Sequence, residues 1–552
     1  MDSSKLQSGA RFMELSEQTG RSCLPERTRL KDPFSPSKIK TAVQTYTWFK
    51  LVNFGLAFAF QVLVVKTLQP GQYATYAVLL AFLTTGERLL SFGLDRATMK
   101  FVPTLAQRRD SKRLRGAIAR ICAMRLATLF VFAAICILML ENSDRFLPVI
   151  DRGTVVAFVF WFVSFTLMTD ADAFAQSWLA HSDSAVASFL EVCARTLAII
   201  AVASLSVSAV SARTIVIISA TTSTLSLIYL LTRLSRFRSI LGSAAGVDTS
   251  SADARFDPRG IPWFAVGNYA STIVYLVSSP PMIRIAASAG LGVVSLAAFS
   301  FIQTLATSAQ RLLPGLLVLP LLEPIIMSGI LVRGKGEGII SGLSLLFKLE
   351  ILCVLCGIII ATIAGEDLII ALSRPDYANY SDVLIVMLIY VAFATAYRLL
   401  EMIINTNSKQ TIFLVVWPIS CISIITTYVF VHRFGLIAVL LIPTLEIALR
   451  VMLLATAFRQ YGTFRVFDPL RTLPLMLLAA VIAIAGRTAL RLLGADRSML
   501  LDFAMAAVVA LLFLGGAWIC KILRPSEYEV LGAVFPERLR PVFSFILNGV
   551  RP

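Results

Sequence analysis

The chain is punctuated by long apolar runs almost free of charge. Each is close to the ~20 residues an α-helix needs to cross a hydrocarbon core of about 30 Å. Fourteen candidate spans can be drawn, near 44–65, 73–94, 117–140, 154–179, 185–206, 213–232, 261–283, 292–318, 343–365, 382–404, 411–431, 435–457, 472–493 and 499–521. Gly/Pro or charged clusters such as LQPGQY, RRDSKRLRG and VRGKGEG separate them. The runs are too long for membrane β-barrel strands and do not alternate. Only 15% of the residues are charged, against about 25% in a soluble domain. The sequence predicts an all-α polytopic membrane protein.

Lys and Arg placement orients the spans. The segment before residue 43 carries Arg11, Arg21, Arg27, Arg29, Lys31, Lys38 and Lys40, and the loop after span 2 carries Arg96, Lys100, Arg108, Arg109, Lys112, Arg113 and Arg115. Arg233, Arg236, Arg238, Arg255 and Arg259 follow span 6, and Arg524, Arg538 and Arg540 follow span 14. The alternate loops are poor in cations. The positive-inside rule then places both termini in the cytoplasm, and the net charge of +17 reflects topology rather than nucleic-acid binding. Residues 1–40 are polar and lack the apolar core of a cleaved signal peptide, so a flexible cytoplasmic tail is expected.

Short loops on both sides leave no room for a catalytic domain. The chain has no phosphate-binding G-x-x-x-x-G-K-[ST] loop. His181 and His432 have no metal-ligand spacing, and no nucleophile–base pair is visible. Cys353 and Cys356 form a C-x-x-C inside an apolar run and are expected to pack as small core residues. A non-enzyme without cofactor or metal is expected.

An internal repeat is visible in GERLLSFG (86–93) and AQRLLPG (309–315), where Arg88-Leu89-Leu90 matches Arg311-Leu312-Leu313. Each triplet lies toward the cytoplasmic end of the second span in a six-span set. A six-span unit preserves orientation, which predicts a parallel repeat about the membrane normal. Polar residues also recur at helical spacing. Span 1 gives Tyr46, Lys50, Asn53 and Gln61; span 2 gives Thr84, Arg88, Ser91 and Asp95. Span 5 gives Ser184, Ser188, Glu191 and Arg195, and span 7 gives Asn268, Ser271, Tyr275 and Ser278. Span 8 gives Ser300, Thr304, Thr307 and Arg311, and span 10 gives Arg398, Glu401 and Asn405. Such stripes are expected to face other helices or a shared polar cavity rather than lipid.

Two readings of the charges compete. Glu191 with Arg195, Arg398 with Glu401 and Glu446 with Arg450 have i,i+3 or i,i+4 spacing and can neutralise one another. Lys50, Arg88 and Arg311 have no acidic residue at i±3 or i±4, so they suit either a cavity or pairing across helices. Asp170 and Asp172 end span 4 and can be interfacial. Glu87 lies off the Arg88 stripe, with a neighbouring helix or a coupling proton as its partner. Fixed cations favour an anionic, phosphate-bearing cargo, because arginine matches phosphate oxygens bidentately.

The stretch VVKTLQPGQYATYAVLLAFLTTGERLLSFGLDRATMKFVPTL (64–105) resembles the first two spans of polysaccharide exporters. These are the O-antigen and exopolysaccharide flippases of the multidrug/oligosaccharidyl-lipid/polysaccharide (MOP) exporter superfamily. The likeness rests on Pro70, Tyr73 and Tyr76 in the turn and on Gly93, Ala97 and Lys100 after span 2; Gln69 and Ala74 replace the usual glycines. Recognisable residues concentrate at 40–105 and 261–325.

The resemblance implies two six-helix lobes (41–240 and 241–460), two extra spans and a tail (461–552), and a central basic cavity. It implies alternating-access flipping of a polyprenyl-pyrophosphate-linked, anionic oligosaccharide across the bacterial inner membrane. Lys50, Arg88 and Arg311, with Arg195 and Arg398, would line the cavity toward pyrophosphate or acidic sugar. Asn53, Gln61, Asn268, Tyr275 and Asn405 would meet sugar. Glu87, Asp170 or Glu191 could couple an ion. Ser278-Ser279-Pro280-Pro281 would break span 7, as a hinge or as the span's end. Membrane lipids, a polysaccharide polymerase and other export proteins are the implied partners. A cation-coupled multidrug antiporter of the same fold is the alternative, and a glycan polymerase or ligase a more remote one.

Overall fold

Helices occupy the segments that the apolar runs mark out. The computed structural model describes residues 36–94, 98, 102, 111–141, 151–177, 180–205, 210–235, 269, 272–273, 276–315, 336–406, 412–459, 462–492, 498–519, 522–524 and 527. Helices α1 (Pro36–Thr67), α2 (Pro70–Ser91), α3 (Ser111–Glu141), α4 (Arg152–Ser177), α5 (His181–Leu205) and α6 (Ala212–Ser235) follow the first six runs. They are succeeded by α7 (Pro280–Ser288), α8 (Val293–Arg311), α9 (Gly336–Leu372), α10 (Ser381–Thr406), α11 (Ile412–Phe434) and α12 (Leu436–Ala457). A short α13 (Thr463–Phe467) precedes α14 (Pro469–Leu492) and α15 (Met499–Ile519). No strand occurs among the described residues. Ten helical stretches among them are long and apolar enough to cross a membrane. The chain is a multi-pass α-helical membrane protein.

Local chemistry sets the ends that matter for function. Gln69 is extended (φ −65°, ψ 153°) and Pro70 opens α2, where its fixed φ fits a helix start and its missing N–H is not needed. α2 stops at Ser91 because Phe92 (φ 47°) and Gly93 (φ 71°) turn left-handed, a C-terminal cap that glycine adopts without strain. Phe92 does not share that freedom, and its ring stacks on Tyr269 at 4.7 Å. Span 2 therefore ends three residues before position 94, and Asp95 lies outside the described residues. The break expected at 278–281 is present: Ser279 is extended (φ −72°, ψ 151°) and Pro280 starts α7. α9 kinks at Ala364 (φ −119°, ψ 22°).

Among the described residues, packing falls into two sets of neighbours joined chiefly by one crossing. α4 packs along α6, α1 along α5, and α5 along α6. In the later half α10 packs against α9 and α12, and α11 along α12, while α14 and α15 both lie on α9. The crossing is α2, which packs chiefly on α7 and α8. One apolar core runs through it, from Val64, Tyr73 and Trp161 to Phe299, Phe301 and Tyr377. A second core, with Ile351, Leu355, Phe513 and Ala479, fastens α14 and α15 to α9.

Lipid tails are as apolar as leucine, so close approach drives such packing more than burial does. Gly86 shows the closeness, since a Cβ there would stand 2.8 Å from the Phe162 ring of α4. Outward faces carry Phe130, Val415, Leu445, Val481 and Leu511, all exposed, as a lipid-facing surface requires.

Candidate substrate pathway and interior charged centres

Among the described residues, four buried centres pair a cation with carboxylates, and two exposed arginines stand at helix ends. The first is built on Arg125 of α3, whose side chain is only 4% exposed. Its Nε donates to Asp170 Oδ2 of α4 at 2.7 Å, its Nη1 to the Leu90 carbonyl of α2 at 2.8 Å, and its Nη2 reaches Glu87 Oε1 at 3.4 Å. One guanidinium thus joins three helices and contacts two carboxylates. Glu87 finds its partner on a neighbouring helix, and Asp170 lies half-buried within the centre. Sequence spacing does not show Arg125, because its partners stand 38 and 45 positions away. The available signal is that an arginine lies within the apolar run of span 3.

The second centre is the Glu191–Arg195 pair on successive turns of α5. Ser223 of α6 donates to Glu191 Oε1 at 2.7 Å, and Arg195 lies 5.5 Å from the centroid of the Phe60 ring of α1. The third is Glu446–Arg450 on α12, both buried. Arg450 Nη2 also donates to Ser278 Oγ at 2.7 Å and to Ser420 Oγ, while Ser420 donates to Glu446 at 2.9 Å. Tyr390 Oη donates to the Ser278 carbonyl at 2.9 Å. Pro280 and Pro281 interrupt the helix here; α10 supplies a donor to the freed Ser278 carbonyl and α12 holds the Ser278 side chain. The i,i+4 spacings identified both Glu–Arg pairs; the link to the span 7 break comes only from the fold.

Lys348 of α9 forms the fourth centre, with its side chain 0% exposed. It contacts Glu527 at 3.0 Å and Asp468 at 2.8 Å, and donates to the Ile522 carbonyl at 3.0 Å. Arg524 closes on Asp468 at 2.9 Å. This cluster ties α9, the α13–α14 junction and the segment after α15 together, and nothing in the sequence pattern announces it. Buried ions of this kind persist only when fully paired and hydrogen-bonded.

Arg88 and Arg311 are placed differently. Both are exposed, and each sits in the last turn of its helix, α2 and α8. The two helices pack against each other with their first turns together, a Cβ at Gly71 lying 3.5 Å from Val293, so the two arginines finish at the same end of the bundle. Arg398 of α10 is exposed too. Asn53 and Gln61 of α1 are half-buried, and Asn53 Oδ1 is buried without a hydrogen bond. The side chains of Lys50 and Asn405, and all of Asn268 and Tyr275, lie outside the described residues.

The polar stripes have partners of two kinds. Thr304 of α8 meets Arg284 of α7, whose Nη2 donates to its Oγ1 at 3.0 Å, whereas Thr84 and Ser91 of α2 donate to carbonyls of their own helix, and Ser91 Oγ accepts from the Gly93 N–H at 3.4 Å.

At the opposite end, where α1 passes into α2, two cations exchange caps. Lys66 Nζ of α1 donates to the Ala371 carbonyl at 2.6 Å, in the last turn of α9. Arg374, just after α9, returns Nε to the Val65 carbonyl and Nη2 to the Lys66 carbonyl, both at 3.2 Å. Each cation thus satisfies carbonyls left open at the other helix's C-terminus and complements its dipole. The ends of α1 and α9 are thereby joined.

The described residues thus form a helical bundle with a polar interior, a helix break before Pro280 and helix ends that cap each other. Solved membrane proteins have a similar fold. The chain is similar to one described as "Lipid II flippase MurJ, inward closed conformation", with a TM-score of 0.53 and 11% identity over 86% of this chain and 98% of that one. It is similar also to an inward-facing multidrug resistance MATE family transporter of the MOP superfamily, with a TM-score of 0.52 and 12% identity over 74% of this chain and 95% of that one. No protein-family model matches the sequence, and no curated protein does. At these identities the likeness is one of fold: the chain has the fold of the MOP superfamily transporters.

Proposed function

We propose that the protein flips a lipid-linked, anionic oligosaccharide, carried on a polyprenyl pyrophosphate, across the bacterial inner membrane by alternating access. In this reading both termini are cytoplasmic, residues 41–240 and 241–460 form two lobes, and 461–552 add two helices and a tail. The observation that carries it is the placement of Arg88 and Arg311. Two exposed arginines end adjacent helices on the side that the Lys/Arg-rich loops assign to the cytoplasm, where a pyrophosphate head group would arrive. The Lys66–Arg374 exchange closes the other end, which suits a conformer open inward.

The interior carboxylates support the same choice of cargo. Glu87, Asp170, Glu191 and Glu446 each contact an arginine. A cationic drug would want such groups available, whereas an anion does not need them. Arg195 is half-buried against Glu191, which makes it a weaker candidate for cargo than the exposed Arg88, Arg311 or Arg398. The broken span 7, gripped by Arg450 and Tyr390, is the natural hinge.

Deleting the gene in its host tests this reading. Loss of surface polysaccharide, with lipid-linked oligosaccharide accumulating on the cytoplasmic face, is expected. Normal glycan output together with heightened sensitivity to cationic drugs would overturn it in favour of a multidrug antiporter of the same fold.

A further inference from the structure

Arg284 of α7 breaks the pattern of the other interior cations. Arg125, Arg450 and Lys348 each contact a carboxylate. Arg284 is 7% exposed, and no carboxylate among the described residues contacts it. Its Nε donates to Gln303 Oε1 at 3.0 Å and its Nη1 to the Ala77 carbonyl of α2 at 3.3 Å. Its Nη2 donates to the Ser300 carbonyl at 3.2 Å and to Thr304 Oγ1 at 3.0 Å. All four acceptors are neutral. A guanidinium withdrawn from water is unfavourable unless an opposite charge compensates it.

A second observation points the same way. Ser300 Oγ and Gln303 Nε2 belong to two residues that accept from Arg284, and both atoms are buried without a hydrogen bond. These residues are 0% and 1% exposed. Both groups can donate, and an amide N–H₂ can only donate. Buried polar groups in folded proteins are nearly always satisfied. A buried cation bonded only to neutral acceptors, with two unsatisfied donors on the residues that hold it, calls for an anion.

We propose that a small inorganic anion of the halide class binds beside Arg284, at the crossing of α2, α7 and α8. Enclosure excludes a lipid head group, and the cargo proposal is not a premise of this one. The anion neutralises Arg284 and occupies donors contributed by α8, so it stabilises the joint of α7 with α8 and α2.

The test uses the full-length protein in detergent, titrated with sodium bromide or chloride against sodium gluconate at constant ionic strength. A saturable rise in the unfolding midpoint with halide, absent with gluconate, is expected from mass action. Gln303→Glu places a fixed carboxylate beside the guanidinium and is expected to abolish the halide response. Ser300→Ala removes one of the two donors while keeping the carbonyl that holds Arg284, and is expected to raise the half-saturating halide concentration several-fold, which decides the matter if Gln303→Glu fails to fold. No halide response in the wild type overturns the proposal. So does a wild-type response in either variant that folds.

Discussion

Arg125 shows what a single residue does in this bundle. Its guanidinium contacts Glu87 and Asp170 and caps the Leu90 carbonyl, so three helices depend on it. Arg125→Gln would leave two carboxylates without their buried cation, a loss of about 3–5 kcal/mol for breaking such a centre from one side. Thermal unfolding in detergent should show a strongly lowered midpoint, with Glu87→Gln milder because Asp170 keeps its arginine. An unchanged midpoint for Arg125→Gln would contradict the assignment. This residue also marks the limit of what the sequence discloses. Glu191–Arg195 and Glu446–Arg450 are legible because their partners lie one helical turn away. Arg125, Lys348 and Arg284 are not, because their partners lie on other helices and only the fold brings them together.

At the scale of elements, the apolar runs locate the long helices, because hydropathy fixes position, but not all of their ends: α1 starts eight residues before its run, and α9 extends seven residues beyond its run on each side. What they do not predict is local backbone chemistry. The left-handed pair Phe92–Gly93 ends α2 early, and the five-residue α13 is too short to have a period. Close approach is equally silent in sequence. Gly86 lies against Phe162 with no room for a Cβ, so Gly86→Val should separate α2 from α4 and cost about 1–3 kcal/mol, read as a lowered unfolding midpoint. The break before α7 gives a sharper expectation. Ser278→Ala removes an acceptor from Arg450 while leaving the Glu446 pair in place, so it should slow transport more than it lowers stability. Equal stability with undiminished transport would remove the break from the mechanism.

For the whole molecule, the account holds that one end is closed by reciprocal capping while the other presents arginines. Replacing Lys66 and Arg374 together by alanine should shift the population toward the conformer open at the α1–α2 end. A cysteine at Ser295, near that end of α8, should then react faster with a membrane-impermeant thiol reagent in a cysteine-free background. An unaltered rate would mean that the exchange of caps is not a gate. The repeat in Arg88 and Arg311 was legible as a tripeptide match, and the fold adds that the two helices pack together with both arginines exposed at one end. Whether those arginines receive the cargo is decided most directly by reconstitution. In proteoliposomes holding a polyprenyl-pyrophosphate-linked anionic oligosaccharide, the wild-type protein should transfer the lipid between leaflets. Arg88→Ala and Arg311→Ala should each reduce the rate at least ten-fold with folding intact, and Arg→Lys should restore part of it. Full transfer by both alanine variants, or no transfer by the wild type, would contradict the account.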